Sequence, residues 1–151
     1  MANRANTTNK TNQMMIIPVG AIQETNSSSP VLINLAFNTK NVIGLSGLYY
    51  INDKDLLLFT ASEEDTPNAT QDGVIGNSYL GYIKKFSEKM TASTLHPDKM
   101  ITLTDIDPVF KKQKVESVCV EKIVGNSAIV HLASDNDNGQ SMLFKTRLIL
   151  E

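Results

Sequence analysis

Short apolar runs separated by turn-forming residues dominate the chain from Val31 onward. Runs of this length, bounded by Gly, Asn, Asp and Pro, are typical of β-strands. Nine strands are predicted, at residues 14–19, 31–37, 44–51, 55–61, 78–84, 100–104, 116–124, 127–133 and 141–150. The segment 86–98 has no clean 3.6-residue period, which argues against a helix there. The predicted fold class is therefore all-β.

Two pairs of neighbouring runs predict β-hairpins. Asn52-Asp53-Lys54 separates the third run from the fourth, and Gly125-Asn126 separates the seventh from the eighth. Gly-Asn between two alternating runs is a good hairpin signal. Residues 45–65 can be laid over residues 115–137 with a two-residue difference at the turn. This overlay predicts an internal repeat with an offset of about 70 residues, although any two hairpins can be overlaid in a similar way.

The N-terminal part is predicted to differ from the rest of the chain. Residues 1–13 contain almost no side chain that a core could bury, which predicts a disordered polar tail. Residues 14–30 are predicted to form an edge strand and a linker, because Pro18 cannot donate a hydrogen bond to a sheet. Residues 31–151 then form the all-β domain.

Length and charge exclude several classes of partner. A chain of 151 residues with 41% hydrophobic residues is typical of one soluble globular domain. Its 14 basic and 16 acidic residues give no basic surface for nucleic acid or an anionic membrane. The apolar runs are also shorter than the ~20 residues that span a bilayer. Neither nucleic acid nor a membrane is therefore an expected partner, and the compartment is not indicated.

The chain offers few residues for catalysis. Cys119 is the single cysteine, so no disulfide can form within the chain, and its side chain is predicted to be a small apolar group on one strand face. His131 falls within a predicted strand and His96 within a loop, and neither has a nucleophile beside it. No glycine-rich phosphate motif is present. No catalytic or cofactor-binding residue is assigned.

An acidic and amide-rich set is the strongest candidate site. It consists of Glu116, Asp135, Asp137 and Asn138. Calcium takes six to eight oxygen ligands, which such side chains supply, so a Ca²⁺ site is predicted here. The loop is not an EF-hand, because Thr146 stands where a bidentate Glu is needed. The alternative is a solvated hairpin loop chosen for its turn geometry. Residues 63–65 form the equivalent acidic set in the first copy.

Several short motifs, taken together, resemble a known family. They are Gly44-Leu45-Ser46-Gly47-Leu48, the segment from Phe59 to Asn68, Asp72-Gly73 with Ile75-Gly76-Asn77-Ser78, Lys114-Val115-Glu116-Ser117, and the segment from Asp135 to Ser141. In this order they resemble the C-terminal blades of an uncharacterised bacterial β-propeller family, distantly similar to phytase-like and gluconolactonase-like propellers. The resemblance implies blades of four antiparallel strands around a central channel. It also implies that Glu116 faces that channel beside Asp135, where propellers often hold a cation.

The matching part of the chain is too short to close a ring. About 120 residues supply two or three blades, and a closed propeller needs at least four. The sheets therefore belong to a longer propeller, associate with copies of the chain, or collapse into a small β-sandwich or barrel. Candidates for the uncovered apolar faces are Leu56, Leu58, Ile129, Val130, Leu143 and Leu148. Such faces predict self-association or contact with the remaining blades.

The sequence favours a binding scaffold of the β-propeller type with a divalent cation site. The alternative is a metal-dependent hydrolase of the phytase or lactonase kind, which would need further blades to complete its site. Calcium-dependent turnover of phosphomonoesters or lactones would distinguish the enzyme from the scaffold.

Overall fold

The computed structural model describes residues 2–3, 11–17, 30–64, 75–136 and 139–150. Its strands are β1 (Ala2–Asn3), β2 (Asn12–Ile16), β3 (Val31–Leu35), β4 (Ile43–Ile51), β5 (Leu56–Glu64), β6 (Ile75–Lys84), β7 (Thr94–Leu95), β8 (Lys99–Thr102), β9 (Val115–Val124), β10 (Ser127–Asp135) and β11 (Ser141–Ile149). The helices are single turns: η1 (Asn52–Lys54), α1 (Phe86–Lys89), α2 (Leu103–Ile106) and η2 (Pro108–Phe110). The predicted all-β class is confirmed. None of these helices is long and apolar enough to cross a bilayer.

The strands of the described residues form three sheets. The N-terminal sheet has the order β1-β2-β3-β7, the central sheet β4-β5-β6-β8, and the C-terminal sheet β11-β10-β9. All neighbouring strands are antiparallel except β3 and β7. Both predicted hairpins are present, as β4–β5 and β9–β10. The two copies of the predicted repeat thus correspond to two three-stranded meanders, β4-β5-β6 and β9-β10-β11.

The three sheets stack as layers with the central sheet in the middle. Alternate residues of β5 enter different cores, because successive side chains of a strand point to opposite faces. Leu56 and Leu58 pack with the C-terminal sheet, whereas Leu57 and Phe59 pack with the N-terminal sheet. The central sheet is therefore buried on both faces.

The central and C-terminal sheets approach most closely where β4 and β9 begin. A β-bulge in β4 leaves Ser46 between two paired positions, and a bulge in β9 does the same for Glu116. These two residues correspond in the overlay of the repeat. The Ser46 hydroxyl donates to the Val115 carbonyl at 3.0 Å. A Cβ on Gly47 would lie 2.9 Å from both the Glu116 carbonyl oxygen and the Ser117 Cα, so only glycine allows this approach.

Buried serines of the central sheet hold the beginning of β9. The hydroxyls of Ser62 and Ser78 are 3.0 Å apart. Ser78 donates to the Gln113 carbonyl at 2.7 Å and accepts from the Val115 backbone N–H at 3.1 Å. Both serines are fully buried, and buried hydroxyls require such partners. We call Ser46, Ser62, Ser78 and the facing backbone of residues 113–115 the serine seam.

A buried asparagine joins the N-terminal sheet to the central sheet. The Asn12 side-chain amide donates to the Ile43 carbonyl at 2.8 Å, and its oxygen accepts from the Leu45 N–H at 2.7 Å. The amide therefore occupies the place that a neighbouring strand would take beside β4. Asn12 belongs to residues 1–13, which were predicted as a disordered polar tail, and most of that segment lies outside the described residues. The strand predicted at residues 14–19 begins two residues earlier in the structure, as β2. Pro18 also lies outside the described residues.

A one-turn helix occupies the start of the segment for which no helix was predicted. The Asp55 carboxylate accepts from the Ser87 N–H at 2.8 Å and from its hydroxyl at 2.7 Å, while Phe86 is buried. One turn is too short to show a 3.6-residue period, so α1 depends on this tertiary contact and not on a local pattern.

The outer faces of the stack are only partly apolar. Of the six side chains predicted on uncovered faces, Leu56, Leu58, Val130 and Leu148 are instead buried between the central and C-terminal sheets. Leu143 is 72% exposed on the outer face of the C-terminal sheet, and Leu32 is 54% exposed in the N-terminal sheet. Cys119, predicted as a small apolar group on one strand face, is exposed on the outer face, because Val118 and not Cys119 faces the core.

Substituting Gly47 tests the close approach of the two sheets. We expect Gly47→Ala to lower the free energy of unfolding by about 1–3 kcal/mol, because the added Cβ would overlap the backbone of β9. Urea denaturation measures the effect. Ser117→Ala is the control, since Ser117 is exposed on the adjacent strand, and equal stability of both variants would contradict the prediction.

Candidate functional site

Polar side chains collect at the end of the stack where β4, β6, β9 and β11 begin. The pairing of Ile43 with Glu63 and of Asp135 with Ser141 brings the ends of β5 and β10 to this same edge. We call the group the polar rim. It contains Asn41, Glu63, Asn77, Tyr79, Gln113, Lys114, Glu116, Asp135 and Asn136.

The Glu63 carboxylate is the centre of one half of the polar rim. The Tyr79 hydroxyl and the Asn41 amide, the latter at 3.0 Å, donate to Oε1. The Asn77 backbone N–H donates to Oε2 at 3.1 Å. A Cβ on Gly76 would lie 2.8 Å from Oε2, so the carboxylate occupies space that only glycine leaves free. Glu63 is therefore held in one orientation by Asn41, which precedes β4, and by residues of β6.

These contacts change the proton affinity of both groups. Partial burial alone would raise the pKa of Glu63, but hydrogen bonds from Tyr79, Asn41 and Asn77 outweigh it and lower the pKa below its ordinary value. Burial raises the pKa of Tyr79, and the adjacent Glu63 carboxylate raises it further. Glu63 therefore carries a negative charge at neutral pH, and Tyr79 remains a hydrogen-bond donor.

The second half of the polar rim contains two of the predicted cation ligands. Glu116 and Asp135 lie near the paired ends of β9 and β10, where Asp135 N–H donates to the Lys114 carbonyl at 2.9 Å. The Lys114 ammonium lies 3.6 Å from the Glu116 carboxylate. The Lys114 N–H also donates to the Asn136 side chain at 3.0 Å. The structure thus brings these two carboxylates to one edge beside a lysine.

The cation site as a whole stays a prediction. Asp137 and Asn138, its other two residues, lie outside the described residues, as does Asp65 of the equivalent set. Among the described residues, no three His, Cys, Asp or Glu side chains are grouped as a metal site would require.

The sequence did not identify the amides that organise the polar rim. Gln113 accepts from the Ser134 hydroxyl at 2.9 Å and from the Asn136 amide at 2.8 Å through one oxygen. It therefore links the serine seam to the polar rim. Gln113 stands among lysines in a short connection, and no local motif distinguishes it from a solvated loop residue. No local motif marks Asn41 or Asn77 either, because only the topology brings these two residues next to Glu63.

A separate charged cluster lies on the outer face of the C-terminal sheet. Glu121 lies 2.6 Å from the Lys145 ammonium and 2.8 Å from His131 Nε2. Hydrogen bonds from Lys145 and His131 lower the pKa of Glu121 to about 2. The cluster joins three neighbouring strands, and cross-strand pairs of this kind stabilise a sheet. His131 therefore has a structural role, as a partner of Glu121.

The pKa of Glu63 predicts how stability depends on pH. A carboxyl group whose pKa is lower in the folded chain stabilises the fold above the unfolded pKa, and the contribution is lost as the pH falls through the folded pKa. We expect Glu63→Gln to cost about 0.5–1 kcal/mol at pH 7, allowing for solvent screening, and to cost less at pH 3. Urea midpoints at both pH values measure this. The control is Glu88→Gln, which removes an exposed carboxylate, and an identical pH dependence in both variants would contradict the prediction.

Comparison with known proteins adds a family but no activity. A family model described as a family of unknown function, DUF6929, matches residues 1–148. No curated protein and no solved structure matches the chain. Because the match covers nearly the whole chain, the protein belongs to the DUF6929 family.

Proposed function

We propose that this protein is a binding scaffold of the β-propeller type. It presents the polar rim to a ligand and extends its stack of sheets by association with further copies. The observation that carries this proposal is the face-to-face stacking of three consecutive sheets, with β4 and β9 side by side. Each is the first strand of its meander, and the first strands of neighbouring propeller blades also lie next to each other around the channel.

The packing of the central sheet supports a stack that can continue. Two separate cores cover its two faces, and among the described residues each flanking sheet has one face in a core and one outside it. A further sheet on the outer face of the C-terminal sheet would cover Leu143 and the half-buried Ile129. The Glu121 cluster on this face would then meet a neighbouring surface. An apolar patch with a polar rim is typical of an association surface.

The polar rim supports binding as the activity. Its amides and carboxylates lie on several strands of a rigid stack, an arrangement that holds a ligand with little loss of conformational freedom. Glu63 already accepts three hydrogen bonds, so it fixes the surrounding side chains. Glu116 is half-buried and Asp135 is exposed, and these are the residues that we assign to a calcium ion, together with Asp137 and Asn138.

Calcium titration tests the cation part of the proposal. We expect millimolar calcium to raise the melting temperature, because a ligand that binds only the folded chain stabilises it by mass action. The increase should disappear in Glu116→Gln and in Asp135→Asn, and it should persist in Glu88→Gln. A melting curve that calcium leaves unchanged would exclude the cation site.

Light scattering after size exclusion tests the association part. At micromolar concentration we expect a mass above the 16.6 kDa of one chain. Leu143→Lys should shift the distribution toward the monomer, because it places a charge in the apolar part of the surface. Ile106→Lys is the matched control, since Ile106 is also exposed but lies on α2, outside this face. A 16.6 kDa monomer that unfolds cooperatively would contradict the proposal.

A further inference from the structure

A cavity of about 220 Å³ lies at the end of the stack opposite the polar rim. It opens between the turn of the β4–β5 hairpin and the turn of the β9–β10 hairpin. Its lining consists of Lys54, Leu56, Lys84, Lys85, Asn126 and Leu150. Half of these residues are lysines, in a chain whose net charge is −2.

Local contacts restrain the Lys84 side chain and the Lys85 backbone. The Lys84 ammonium lies 5.8 Å from the centre of the Tyr82 ring, and Tyr82 is buried, so a cation–π contact restrains this side chain. Lys85 has a left-handed backbone with a φ of 50°, which costs energy for a residue with a Cβ. The contacts of Asp55 with Phe86 and Ser87 maintain that conformation.

The carboxylates nearest the cavity accept hydrogen bonds from other groups. Asp55 accepts from Ser87 and from the Tyr50 hydroxyl. Asp98 accepts from the Lys89 ammonium and from the backbone N–H of Lys84.

The carboxylates of Asp98 and Asp55 attract Lys84 and Lys85, respectively, but among the described residues they form no ion pair with them. Glu88 reaches Lys85 only at 3.7 Å, with both side chains largely exposed. Within the part of the chain that the structure describes, no carboxylate forms an ion pair with the ammonium of Lys54 or Lys84.

The rest of the lining is polar at one point and apolar elsewhere. Asn126 belongs to the β9–β10 turn, where its carbonyl accepts from the Leu150 N–H at 2.7 Å. This bond holds Leu150 against the turn. Leu56 and Leu150 supply an apolar surface beneath the charged groups. The cavity thus suits a ligand with a charged head and a small apolar body.

We propose that this cavity binds a small phosphate-bearing ligand. Like charges that share one cavity repel each other, and a multivalent oxyanion relieves this repulsion more fully than a monocarboxylate does. Lysine binds phosphate as a point charge and needs no bidentate geometry. The cavity is smaller than those that hold drug-sized ligands, so it fits phosphate or a small phosphomonoester. This inference does not depend on the scaffold proposal, because it concerns the opposite end of the stack.

Titration with inorganic phosphate and with glycerol phosphate, at constant ionic strength in chloride, tests the inference. We expect both to raise the melting temperature in a saturable way, with glycerol phosphate binding more tightly because its carbon skeleton can contact the leucines. Lys84→Gln and Lys54→Gln should each weaken binding about tenfold. Lys111→Gln removes the same charge from an exposed position after η2 and should bind as the unmodified chain does.

Amide chemical shifts provide a second measurement that does not depend on stability. We expect phosphate to shift the resonances of Asn126 and Lys85 and to leave those of the polar rim unchanged. Equal binding of phosphate by all three lysine variants would overturn the inference. Phosphate would then act by screening charge over the whole surface and not by binding in the cavity. Tighter binding of a short oligonucleotide than of glycerol phosphate would also overturn it, since the surface would then recognise an extended polyanion.

Discussion

The burial of β5 on both faces is the constraint on which the layered architecture depends. Every residue from Leu56 to Ser62 is buried, with neighbouring side chains directed into different cores. Burying a leucine or phenylalanine stabilises the fold by roughly 1.5–3 kcal/mol relative to exposure. A two-layer structure would leave one face of β5 in water. The N-terminal and C-terminal sheets are therefore both required, and neither is an accessory to the other.

The same strand also creates a polar requirement that fixes how the layers align. Ser62 is buried beside Ser78, and a buried hydroxyl without a partner costs about 1–3 kcal/mol. The backbone of Gln113 and Val115 satisfies these hydroxyls, while Gly47 leaves room for β9 to come close enough. Sliding β9 along the central sheet would break these bonds without losing much apolar contact. The serine seam therefore selects one alignment, which apolar packing alone would not specify.

The sequence predicted the strands better than it predicted their partners. The runs around β4, β5, β9 and β10 and both hairpin turns were located within a few residues, because alternation and turn residues act locally. The apolar run of β5 showed a buried strand but not which sheets would cover it. Glu116 and Asp135 were expected side by side because the resemblance to β-propellers implied it. The contacts of Glu63 with Asn41 and Tyr79 could not be predicted, because the partners are 22 and 16 residues away and only the topology joins them.

The two ends of the stack carry different sets of charged groups, which the net charge of −2 does not show. Since β4 and β9 begin at the same end, the loops at each end of the two sheets lie next to each other. Carboxylates and amides predominate in the polar rim, beside Lys114, whereas Lys54, Lys84 and Lys85 line the cavity at the opposite end, near Asp55 and Asp98. The near-neutral total argues against binding an extended polyanion. It does not argue against a small anion, because screening limits the field to about 8–10 Å at physiological salt, so a ligand of that size responds only to the charges around it.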